Sequence, residues 1–293
     1  MRWPVEHLFC IFGRPAARAA LSRRPDAPDM INTLKNMLGL SSVSSSAQSP
    51  HQIPIPTPAS AICIVGDLHG RRDLLDLMLA QIARRTSDQR ARPCVVMVGD
   101  MIDRGPDSAA TLRHLYELNT QDPEAFICLM GNHERMMLDF LDDPLRHGPR
   151  WIAAGGAETL SSFGLLSWGR APMPQLAVQL RAALTPPLEN WVRALPLYWK
   201  KDTVAATHAG AAPEYSLEMQ PAARLLWGAR TRSEGPRTDG ICIVQGHDVV
   251  ARAGPQDGRI MVDTGAWRSG KLSAAWLDAA GLSILEVTLP AGF

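Results

Sequence analysis

Four apolar runs in this chain stop at a glycine followed by a polar residue able to hold a metal ion. They are Ile62-Cys63-Ile64-Val65-Gly66-Asp67, Val95-Val96-Met97-Val98-Gly99-Asp100, Ile127-Cys128-Leu129-Met130-Gly131-Asn132 and Ile241-Cys242-Ile243-Val244-Gln245-Gly246-His247. A fifth run, Val204-Ala205-Ala206-Thr207-His208, presents a histidine in the same way. Short apolar segments bounded by turn residues read as buried strands. Between the first three the period changes. Leu74, Leu75, Met78, Leu79 and Ile82 share one helical face, and Leu112, Leu115 and Tyr116 share another, opened by Asp107 or Ser108 as a cap. The pattern predicts a β-α-β-α-β run with a second strand over Cys94 to Val98, a third over Phe126 to Met130 and a helix beginning near Glu134.

From about residue 141 to 200 the period is helical, broken by prolines and carrying Trp151, Trp168, Trp191 and Trp199. Such an excursion can wall a site or form a helical subcore, and the pattern does not choose between them. After His208 strand signals dominate, over Ile241 to Gln245, Arg259 to Asp263, Leu272 to Leu277 and Leu282 to Thr288, and the C-terminal half reads as mostly antiparallel β. The whole predicts an α+β fold of two packed mixed β-sheets flanked by helices, with a helical insertion at about 141–200.

Composition narrows the field. With 293 residues and 46% hydrophobic content the chain can bury a substantial core. A net charge of +1 provides no global field for nucleic acid or an anionic membrane, and no apolar run is long enough to span a bilayer. Of five cysteines, none in a CxxC pair, Cys63, Cys94, Cys128 and Cys242 lie in or beside predicted strands and read as small buried residues of a reducing compartment, so the expected location is cytoplasmic. Residues 41–60 are dense in Ser, Pro and Gln, and residues 1–60 are expected to be an N-terminal tail preceding a domain over 61–290.

A glycine at each strand end lets the next residue turn toward a shared point where backbones crowd, although Gly-Asp and Gly-Asn are also ordinary turn signals. The convergence of Asp, Asp, Asn, His and His is what exceeds turn chemistry. Oxygen and imidazole donors without a thiolate suit catalytic Mn, Fe or Zn better than a structural zinc.

Gly66-Asp67-Leu68-His69-Gly70, Gly99-Asp100-Met101-Ile102-Asp103-Arg104-Gly105-Pro106, Gly131-Asn132-His133-Glu134, Thr207-His208-Ala209-Gly210 and Gly246-His247-Asp248 together resemble the ordered motifs of the calcineurin-like metallophosphoesterases. The resemblance is to their phosphoprotein phosphatase branch, of the small bacterial and phage Ser/Thr type, and spans about residues 61–290. It implies two divalent metal ions, manganese first and iron or zinc as alternatives. Asp67 and His69 would hold one ion, Asp100 would bridge, and Asn132, His208 and His247 would hold the other. His133 would act as the acid on the leaving group, oriented by Asp103, and Arg104 would clamp phosphate. The family supplies another phosphate-binding arginine after a downstream Trp; Trp227-Gly228-Ala229-Arg230-Thr231-Arg232 offers Arg230 or Arg232, and Arg230 is the expected contact. His7, His51, His114 and His147 lack such company and are expected to be solvated.

The resemblance implies a Ser/Thr protein phosphatase that hydrolyses phosphomonoesters with water activated by two metals, its partner a phosphorylated protein or peptide. The alternative is a symmetrical dinucleoside tetraphosphatase, which shares fold and metals. The aspartate before Arg104-Gly105-Pro106 and the short interval from His208 to His247 weigh against that alternative. A non-catalytic phosphopeptide-binding module is a third reading, opposed by the completeness of the ligand set.

Overall fold

Both faces of the first strands are covered, which is why they read as unbroken apolar runs rather than alternating ones. In the computed structural model, which describes residues 54–87, 92–229, 235 and 237–289, Ile62, Ile64, Val96, Val98, Ile127 and Leu129 face Val204, Ala206, Val244, Ile260 and Val262 in a core between two sheets. The intervening residues Cys63, Val65, Val95, Met97, Phe126 and Cys128 face a second core under the helices. Burying each such Val or Ile contributes about 1.5–3 kcal/mol.

The first sheet contains β1 (Ile62–Val65), β2 (Cys94–Met97), β3 (Phe126–Cys128), β9 (Lys271–Asp278) and β10 (Gly281–Thr288), in the order β10-β9-β1-β2-β3. β1, β2 and β3 are parallel, with Cys63 opposite Val95 and Val96 opposite Ile127, while β9 runs antiparallel to β1 and β10. The crossovers are α1 (Arg72–Thr86) and α2 (Ser108–Gln121), the βαβ units expected from the helical periods. Asp107 occupies the cap position of α2 without a side-chain capping bond.

The second sheet contains β4 (Tyr198–Lys201), β5 (Val204–Thr207), β6 (Cys242–Gln245), β7 (Gly254–Gln256) and β8 (Arg259–Met261), in the order β4-β5-β6-β8-β7. Its centre corrects the antiparallel expectation, because β5, β6 and β8 are mutually parallel. The outer pairs β4–β5 and β7–β8, like β9–β10, are antiparallel. Among the described residues the chain returns from β5 to β6 through a 3₁₀ turn (Leu217–Met219) and the short helix α8 (Ala222–Trp227) rather than a long crossover helix, so the sequence carries no strong βαβ signal there.

Between β3 and β4 lie α3 (Asn132–Asp142), α4 (Pro144–Trp151), a helical segment Ile152–Gly156 broken at Gly155, α5 (Ala157–Ser162), α6 (Met173–Leu184) and α7 (Pro186–Arg193). This is the expected insertion, and it is a packed subcore: Trp151 is fully buried and stacks on Phe140 at 4.9 Å. An ion-pair network ties it down, with Arg193 bidentate on Asp142 and bonded to Glu189. Of the expected tail, residues 1–53 lie outside the described residues; 54–60 run without regular structure, yet Ile55 packs on the inter-sheet core. Among the described residues no helix is long and apolar enough to cross a membrane, and the four cysteines are free.

Candidate metal centre

The loops that follow β1, β2, β3, β5 and β6 at one end of the two sheets each deliver a predicted site residue. Asp67 and His69 follow β1, Asp100 follows β2, Asn132 opens α3 after β3, His208 follows β5 and His247 follows β6. Such carboxyl ends of parallel strands are where open α/β sheets bind ligands. Asp67, His69, Asp100, Asn132 and His208 are each 4% exposed or less, and His247 is half-buried.

The loops hold these residues in strained backbone. His69, Asp100, Asp103, Arg104 and His247 all have positive φ, between 46° and 73°, a region that non-glycine residues occupy rarely and that collects at functional sites. Steric crowding explains two of the glycines. A Cβ at Gly131 would fall on the Asp100 carboxylate, and one at Gly246 on the Asp67 carboxylate. Glu134 supports the Asp100 loop by accepting from the backbone N–H of Asp100 (2.9 Å), Met101 (2.8 Å) and Gly131 (2.9 Å).

Asp100 stands between two donor groups. Its Oδ2 is 3.5 Å from His69 Nε2 and 3.9 Å from His133 Nε2, while its Oδ1 is 3.4 Å from His208 Nε2. The ligand atoms of His69, Asp100 and His133 form one set able to hold a cation, and those of Asp100, His208 and His247 form a second. Asn132 Oδ1 joins the second set, 2.8 Å from His208 Nε2 and 2.9 Å from His247 Nδ1. Asp67 is in neither set; its Oδ2 accepts the His247 backbone N–H at 3.1 Å.

Proton placement makes these sets fit cations. His69 Nδ1–H donates to the Ile102 carbonyl (2.8 Å) and His208 Nδ1–H to the Val98 carbonyl (3.1 Å), which leaves each Nε2 as a lone pair turned inward. Burial pushes His69 down to about 3 and His208 down to about 4, so both imidazoles are neutral at physiological pH. The His208 lone pair therefore faces the Asn132 carbonyl oxygen with no proton between them, an arrangement that a cation resolves. The carboxylates respond in opposite directions. Burial raises Asp67, and the neighbouring Asp263 and Asp100 charges raise it further. Asp100 is buried too, yet the imidazoles of His208, His133 and His69 hold it below the usual range.

A family model for calcineurin-like phosphoesterases matches residues 60–251. The chain belongs to the calcineurin-like phosphoesterase family. It is 29% identical over 160 residues, 53% of this chain and 43% of the relative, to a symmetrical bis(5′-nucleosyl)-tetraphosphatase of Pseudomonas fluorescens. It is 36% identical over 95 residues, 32% of this chain and 38% of the relative, to serine/threonine-protein phosphatase 2 of Escherichia coli. The chain spans less than half the length of these curated relatives. A solved structure provisionally named a diadenosine tetraphosphatase shares the fold with a TM-score of 0.55 at 21% identity, covering 82% of this chain and 98% of the other. Calcineurin-like phosphoesterases use a pair of divalent metal ions, and the two donor sets sharing Asp100 match that use.

His133 and Asp103, expected to act together on the leaving group, are in contact. His133 Nδ1 lies 2.6 Å from Asp103 Oδ2 in a fully buried contact. Burial pushes the His133 imidazole down, but the Asp100 and Asp103 carboxylates outweigh it and hold it above its ordinary value. Arg104 spans the two imidazoles, with Nη1 3.1 Å from His69 Nε2 and Nη2 3.0 Å from His133 Nε2. A guanidinium only donates, so the Nε2 lone pair of each ring faces it.

Sequence reasoning missed several supporting residues. Trp151 Nε1 donates to Asp103 Oδ2 at 2.9 Å, Thr159 Oγ1 donates to Asp103 Oδ1 at 2.6 Å, and the Gly155 carbonyl accepts the Arg104 backbone N–H at 3.1 Å. The insertion therefore holds Asp103 and Arg104 from behind. Asp263 is a further buried carboxylate of the site, raised to about 6 by burial and by the Asp100 charge. Its signal was available, since Ile260-Met261-Val262-Asp263 is another apolar run ending in a carboxylate. Arg230 and Arg232 lie outside the described residues. His114 and His147 are half-buried and away from these donor sets.

Proposed function

We propose that this phosphoesterase hydrolyses the phosphoanhydride of a dinucleoside polyphosphate. The observation that carries the reading is that the curated relatives aligned with half of this chain act, by name, as symmetrical dinucleoside tetraphosphatases. That weighting reverses the order suggested by the motifs alone, in which a Ser/Thr protein phosphatase came first.

His69, Asp100, His208, His247 and Asn132, with Asp67 beside them, would hold two divalent cations. When bound, such a pair polarises the phosphoryl group and lowers the pKa of water near neutral pH. Arg104 binds the non-bridging oxygens, turning toward phosphate the N–H groups that now face His69 and His133. With Arg104 turned away, the Nε2 of His133 is free to carry the proton for the departing oxygen, and Asp103 fixes the ring through Nδ1. The Gly155 carbonyl and the buried Trp151 and Thr159 side chains prevent both groups from drifting.

One observation favours a second reading. A buried Asp103–His133 pair serves most where the leaving group is a strongly basic alkoxide, as from phosphoserine, and least where it is a nucleoside diphosphate. The test is a side-by-side assay of the manganese-loaded chain on diadenosine tetraphosphate, a phosphoserine peptide and a phosphotyrosine peptide. The proposal expects kcat/KM for the dinucleotide to exceed the others by about tenfold or more. A preference for phosphoserine peptide would overturn it in favour of the protein phosphatase.

A further inference from the structure

Trp267 is the one exposed tryptophan among the described residues, 37% accessible, and it stands at the mouth of the site. The Arg104 guanidinium lies 5.4 Å from its ring centroid, and that same guanidinium touches the imidazoles of His69 and His133. The ring is thus one guanidinium away from the point where phosphate is gripped. Phosphate, sugar and base succeed one another in that direction along a nucleotide.

The segment carrying the ring is built firmly. Gly265 N–H donates to Asp263 Oδ1 at 2.7 Å, and Gly265 itself adopts the left-handed conformation at φ 69°. The short helix α9 (Ala266–Ser269) follows; Arg71, itself buried, donates from Nη1 to the Ala266 carbonyl at 3.0 Å. Ser269 Oγ donates to the carbonyls of Thr264 (2.8 Å) and Gly265 (2.9 Å). Val249, 41% exposed, lies against Gly265 and extends the apolar surface toward the His247 loop. Arg268 adds a second guanidinium 5.9 Å from the Trp267 ring, on an exposed side chain that a ligand can displace.

A large aromatic ring, 37% exposed beside a guanidinium that can grip phosphate, is poorly matched to a bare phosphate and well matched to a planar aromatic group. We propose that Trp267 is a specificity-determining platform on which a nucleobase of the substrate stacks while Arg104 holds the adjoining phosphate. The proposal rests on the dinucleotide reading above. A stacking platform is sequence-tolerant because every base has a π-face, so Trp267 selects nucleotides over base-free phosphates without strongly preferring one base.

The experiment compares wild type, Trp267→Ala and Trp267→Phe on diadenosine tetraphosphate and on inorganic tripolyphosphate, and reads the ratio of the two kcat/KM values. Calorimetric affinities for ADP and for pyrophosphate give the same ratio without turnover. Trp267→Ala lowers both ratios about tenfold or more, chiefly through KM in the kinetic one, and Trp267→Phe restores most of the loss. Equal losses for base-bearing and base-free ligands, or no loss for either, would overturn the platform and leave the dinucleotide reading standing. A wild type that hydrolyses tripolyphosphate but not diadenosine tetraphosphate would instead sink the reading on which the platform rests.

Discussion

The floor and the rim of the site are made by different means. The floor consists of side chains delivered by the shortest possible route, one or a few residues beyond a buried strand, and fixed by backbone carbonyls such as Ile102 and Val98. The rim consists of Arg104, His133 and Trp267, whose supports come from distant parts of the chain: Trp151, Gly155 and Thr159 in the insertion, and the Asp263–Ser269 loop. The floor's geometry follows from the sheets, which the inter-sheet core already fixes. The rim's geometry depends on additional packing, and there the family has room to change substrate while keeping the chemistry.

The comparison breaks most severely at Asp100. Replacing it with Asn removes the charge shared by both donor sets while keeping its shape, and should lower turnover by about 1,000-fold or more with the melting temperature of the metal-free protein little changed. Near-normal activity in that variant would discredit the shared carboxylate. At the rim, His133→Ala should cost about 100-fold or more against a phosphoserine peptide and less than about tenfold against diadenosine tetraphosphate, whose leaving group needs little protonation. Equal losses on both would mean that His133 serves the floor rather than the leaving group. Trp151→Phe leaves the stack on Phe140 in place and deletes one donor to Asp103. It should lower kcat several-fold, on the order of 1–1.5 kcal/mol, with unchanged metal content. A loss of bound metal in that variant would erase the separation between rim and floor.

The sequence revealed the floor because strand-end geometry is local. Val65-Gly66-Asp67 and Val98-Gly99-Asp100 carry both the buried strand and the ligand within a few positions, so the periodicity that predicts the one predicts the other. Asp263 also ends an apolar run, but without the glycine, and the pattern reads β8 as one more antiparallel strand. Its parallel neighbour β6 is what brings its end to the site. The supports of the rim left no local trace. Trp151 and Thr159 reach Asp103 across 48 and 56 positions, and nothing in a helical insertion of ordinary composition marks which tryptophan will point inward. Trp267 was equally hidden, since only the approach of Arg104 distinguishes it from any surface tryptophan.

A smaller effect sharpens the electrostatics of the floor. In the cation-free fold the raised carboxyls of Asp67 and Asp263, the latter at about 6, retain protons that the depressed imidazoles of His69 and His208 have already lost. A cation needs the ionised carboxylate, so it must displace those protons, and apparent affinity should rise with pH between about 5 and 7, by up to about tenfold per displaced proton per pH unit. Titration in two buffers of different ionisation enthalpy should reveal proton release on binding. Affinity that is flat across this window would remove the carboxylates from that role.

The most direct test of the account is a calorimetric titration of manganese into the metal-stripped chain, run alongside Asp100→Asn. Two ions per chain, with at least one site lost in the variant, is the result expected from two donor sets that share one carboxylate. A single ion, or two ions bound equally well without the Asp100 charge, would contradict it.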